Sequence, residues 1–114
     1  MRWVVVLALV AGCKAKEPKH HAPKPPMSAA EVQRGQDACK TYVERVCACA
    51  AQKPDVAKQC ELSKALPQAI EISLSVAANP ESKPDVVEQS YDSVRKTVAS
   101  CIEETAKLPT AGCN

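Results

Sequence analysis

The sequence predicts an all-α fold: a small, disulfide-stabilised antiparallel three-helix bundle within residues 28–114. Three observations predict it. Apolar residues recur at helical spacing in three segments, about 28–52, 55–78 and 84–107. Proline-bearing turns separate those segments, short enough to send each helix back along the last. Six cysteines lie among them, in a domain whose core of Ala, Val, Ile and Leu contains no Phe and is marginal without cross-links.

The first helix is announced by "SAAE", residues 28–31. In a capping box the Ser28 hydroxyl takes the Glu31 amide while the glutamate side chain reaches back. Met27 and Val32 sit where a hydrophobic staple forms. Val32, Cys39, Val43, Val46 and Ala50 then mark one face until Pro54, with Gly35 a mild weakness in helix propensity.

The second helix begins near "PDVAKQC", with Pro54 acceptable in a first turn. Pro67 predicts a kink or break at that residue. Residues 69–76, "AIEISLSV", alternate with period two, which is a strand signal. No other segment alternates to partner such a strand, so helix is the expectation. As a helix it would bury Ile70, Leu74 and Ala77 on one side and Ile72 and Val76 on another, as a central helix between two neighbours does.

The third helix follows the turn "NPESKPD", with Ser82 or Lys83 as cap and Pro84 near the first position. Val87, Tyr91, Val94, Val98, Cys101, Thr105 and Leu108 keep 4-3 spacing along it.

Upstream of the domain, Met1-Arg2 precedes "WVVVLALV", residues 3–10, and then small Ala11 and Gly12. A charged start, a short apolar middle and a small-residue exit is the layout of an export signal. As a helix, ten such residues cover only about 15 Å, half a bilayer core. "VAGC", Val10-Ala11-Gly12-Cys13, resembles the lipobox of bacterial lipoproteins. The resemblance implies cleavage before Cys13, removing residues 1–12, and lipidation of Cys13. It covers the first 13 residues only. Twelve residues before the cysteine is short for such a signal, which leaves room for a start upstream of Met1. Lys14 after the cysteine, in place of Asp, implies onward sorting to an outer membrane where the cell has one.

Residues 13–27 read as lipidated cysteine plus tether. Residues 14–27 hold four lysines, four prolines, two histidines and one glutamate. Fourteen residues in an extended polyproline conformation reach roughly 40 Å. Adjacent His20 and His21 on such a tether read as spacer, not as a metal site.

The cysteine count is consistent with export. Seven is odd; with Cys13 given to lipid, Cys39, Cys47, Cys49, Cys60, Cys101 and Cys113 remain for three disulfides. In "CAC", Cys47 and Cys49 lie about 200° apart around a helix, so each reaches a different neighbour. Cys47 and Cys60 flank the turn at Lys53-Pro54 almost symmetrically, which suggests that pair. Cys39–Cys101 and Cys49–Cys113 would complete a set, one of fifteen possible. The intervals of seven residues between Cys39 and Cys47 and ten between Cys49 and Cys60 do not fit twin Cys-x9-Cys hairpins, and the paired Cys-x-x-Cys start of saposin-like domains is absent.

Composition excludes several function classes. Residues 28–114 carry ten basic and twelve acidic side chains and two tyrosines, which argues against nucleic-acid binding. They contain no histidine, so Ser-His-Asp and Cys-His catalysis cannot be assembled from them. No Gly-rich phosphate loop occurs, and no cofactor is implied. The leading expectation is a non-enzymatic lipoprotein, anchored to the membrane through Cys13, that meets an envelope protein or polymer. The alternative is thiol redox or soft-metal chemistry at Cys47 and Cys49. A lipid or small-ligand carrier is the weaker third reading, since it requires a cavity.

Overall fold

The computed structural model describes residues 25–113. The expected signal, Cys13, His20 and His21 lie outside them. Among the described residues four α-helices form three arms: α1 (Ala29–Gln52), then α2 (Ala57–Ser63) and α3 (Ala65–Ala78) as one kinked arm, then α4 (Pro84–Lys107). Single 3₁₀ turns, Pro54–Val56 and Leu108–Ala111, follow α1 and α4. The all-α, cross-linked bundle is therefore the fold. Residues 69–76 are helical, and among the described residues no strand forms.

Local chemistry sets the ends of the arms. The Ser28 hydroxyl accepts the Glu31 amide at 3.1 Å. The Glu31 carboxylate does not reach back to complete the box; it binds the Arg95 guanidinium at 3.1 Å, a charge-assisted bond stronger than one to a neutral amide. The break between α2 and α3 falls at Lys64, not at Pro67. Pro67 has no N–H for the Ser63 carbonyl and its ring crowds that same carbonyl, so the helix gives way one turn upstream. The buried Ser63 hydroxyl donates to the Cys60 carbonyl at 2.6 Å. After α3, the Asn79 side chain accepts the Glu81 amide and the Ser82 hydroxyl donates to the Val76 carbonyl. Lys83 then occupies the N-cap position without a side-chain bond, and Pro84 opens α4.

Cys39, Val46, Ile70, Val94 and Cys101 are essentially solvent-free at the centre of the core. Tyr42 joins them, and Val32, Leu66, Leu74, Tyr91 and Val98 pack around the edge. The expectation for α3 needs correction on one side. Ile70 is buried, but Ile72 is 66 % exposed and Val76 36 %. α3 packs chiefly against α4 and only lightly against α1. The outer side of α3 therefore faces solvent.

Candidate functional site

Among the described residues three disulfides close: Cys39–Cys101, Cys47–Cys60 and Cys49–Cys113, with Cα separations of 5.0, 4.7 and 5.5 Å. Two of them link residues 62 and 64 apart. Glu31 with Arg95 and Gly35 with Val98 keep the same offset. A constant offset means that α1 and α4 run parallel and in register, as the outer strokes of an up-down-up bundle must. The third disulfide ties the returning arm to α1 just past the first turn.

Cys47 and Cys49 thus leave α1 toward different partners, one on α2 and one beyond α4. All six cysteines of the domain are in disulfides, so none presents a thiolate in this state. Among the described residues no group of three or more His, Cys, Asp or Glu is placed to hold a metal ion. No helix among them is long and apolar enough to cross a membrane.

The start of the domain is clamped from across the bundle. Arg95, on α4, donates from Nε to Glu31 Oε1 at 3.1 Å and from Nη2 to the Pro25 carbonyl at 2.8 Å. Met27 between them is buried in the core, with Val32 half-buried beside the same cluster. The last residues assigned to the tether, 25–27, therefore lie on the bundle. Nothing local in "VRK" around Arg95 signals this role, because both partners lie more than sixty positions away.

Among the described residues, three of the four exposed large apolar side chains lie on the kinked arm, and the fourth, Ile102, lies on α4. Leu62 on α2 is 64 % exposed and continues the line of Ile72 and Val76 at 3-4 spacing, through Ala65 and Ala69. Across the bundle, burial pushes the Tyr42 phenol above its ordinary range, and the charge of Glu104 adds to the effect. Compared with protein-family models, curated proteins and solved structures, the chain matches none.

Proposed function

We propose that this chain is a non-enzymatic lipoprotein of the bacterial cell envelope. Cys13 carries the lipid anchor, and the helical domain is a structural or interaction module held off the membrane on a basic, proline-rich tether. The observation that supports it most is the complete pairing of the six domain cysteines, leaving Cys13 as the odd one. Three disulfides in so small a domain suit an oxidising compartment, and "VAGC" supplies the route there. Two or three acyl chains on Cys13 make a stable anchor where one is marginal. Lys14 favours the outer membrane where there is one. The exposed line Leu62, Ile72, Val76 supports a role in contact with an envelope protein or polymer. A thiol-redox or soft-metal role would first require opening two separate disulfides.

The test is to express the full chain in a bacterium with two membranes, feed an alkyne-bearing palmitate, and fractionate. The wild type should take the label and sediment with membrane, and Cys13→Ala should lose both. Alkylation before and after reduction adds a second reading. Six thiols should appear only on reduction; an unlabelled chain with open thiols in the cytoplasm would overturn the proposal.

A further inference from the structure

At the end of the bundle where α1 and α4 finish, a half-open groove of ≈ 530 Å³ lies between them. Its apolar surface comes from the Cys49–Cys113 disulfide, Leu108 and Pro109, and Arg45 and Lys53 supply two cations. Among the described residues no side-chain carboxylate lines it. That volume falls within the range of small-molecule sites, which set apolar surface beside a few polar groups that fix orientation.

The two cations are differently placed. Lys53 donates to the Ala111 carbonyl at 2.9 Å and lies over Gly112, where an added β-carbon would collide with its Nζ. Gly112 has φ 84°, a left-handed conformation that suits glycine, so the turn and the lysine fit each other. One ammonium proton is used in that bond and two remain. Arg45 is exposed and takes part in none of the ion pairs among the described residues. The carboxyl ends of two helices bring roughly half a negative charge each. Two full cations outweigh them and leave a net attraction for an anion.

The geometry points to this groove as a binding site for a small carboxylate that bears an apolar chain. The carboxylate pairs with Arg45 and Lys53, and the chain lies on the disulfide, Leu108 and Pro109. Its source is either a fatty-acyl chain or the free carboxyl end of an apolar peptide, which share this chemistry. The inference goes beyond the anchored-module reading and does not depend on the lipid at Cys13.

The experiment titrates the oxidised full chain, in a non-ionic detergent solution that keeps it dispersed with or without a lipid at Cys13, with hexanoate, and follows the amide resonances of residues 108–113. Hexylammonium and hexanol are the controls. Hexanoate should shift those resonances saturably, hexylammonium should not, and Arg45→Gln should weaken binding about tenfold or more. Arg45 is exposed, so the variant retains its disulfides and resonances elsewhere. N-acetyl-leucyl-leucine with a free carboxylate distinguishes the sources: tighter binding than hexanoate assigns a peptide end, weaker binding an acyl chain. Equal shifts from hexanoate and hexanol, or an Arg45→Gln chain that binds hexanoate as the wild type does, would overturn the assignment.

Discussion

A β-carbon on Gly35 would stand 2.6 Å from Cγ2 of Val98, so α1 presses its bare backbone against an α4 side chain. Read along the chain alone, Gly35 weakens a helix by about 1 kcal/mol relative to alanine. In the folded protein it is where the two parallel arms come together. Val98 is β-branched and stiff in a helix, so it does not swing aside cheaply.

Gly35→Ala should therefore destabilise the domain. Overpacking of this kind costs about 1–3 kcal/mol, against about 1 kcal/mol gained in helix propensity. Urea denaturation of Gly35→Ala, Val98→Ala and the double variant gives the coupling. A Gly35→Ala chain more stable than wild type would mean that the contact relaxes freely.

The disulfides should differ in stability contribution with the loop each closes. On chain-entropy grounds Cys39–Cys101, spanning 62 residues, contributes about 4 kcal/mol, and Cys47–Cys60, spanning 13, about 3 kcal/mol. Paired Cys→Ala variants, compared by chemical denaturation, should fall in that order. Cys39 and Cys101 are solvent-free, so their bond should also be the last reduced by a mild thiol under native conditions.

Arg95→Gln should free the segment ahead of α1 with little effect on overall stability. Its ion pair is partly exposed and contributes of the order of 1 kcal/mol or less. Hydrogen exchange should accelerate at residues 27–32 and remain unchanged in the centre of α4. Unaltered exchange at residues 27–32 would show that Met27 alone holds the segment.

Alkaline pH should weaken the fold through Tyr42. Its phenol is pushed up in the folded state, chiefly by burial, so the folded chain holds this proton more tightly than the unfolded one. That contribution is full below the ordinary tyrosine value of about 10 and is lost as pH rises through the higher folded value. Tyr42→Phe should flatten stability against pH in that window, which denaturation at pH 9 and above would read.

Substitutions on the outer line of the kinked arm should separate stability from recognition. Ile72→Glu, at a position 66 % exposed, should change stability by about 0.5 kcal/mol or less. Site-specific photo-crosslinking from position 72 in intact cells should give a discrete adduct that Leu62→Glu abolishes. A crosslinking pattern indifferent to Leu62→Glu would remove this face from the interaction reading.

What was legible in the sequence was local or periodic. Ser28 caps α1 because a hydroxyl three residues before an amide needs nothing else, and Pro84 opens α4 because it loses no bond there. Pro67 announced a break, but its effect is transmitted to the carbonyl four residues back, which moved the break to Lys64. Ile72 and Val76 were misplaced because period alone cannot count neighbours, and α3 leans chiefly on α4. Gly35, Tyr42 and Arg95 act through partners on another helix, which no window of sequence contains. The groove at Arg45 and Lys53 has the same origin, since its surface comes from segments more than fifty residues apart.

The register of α1 on α4 also has a mechanical consequence. Tension applied to the chain ahead of Pro25 first meets the Arg95 clamp and then the Cys39–Cys101 bond. Only residues 25–38 can peel away before the load becomes covalent, which releases on the order of 50 Å of extended chain. Beyond that point the force passes into α4, and the bundle behind it is bypassed. The domain should therefore yield by a short, fixed extension under a pull from its N-terminal side and then hold.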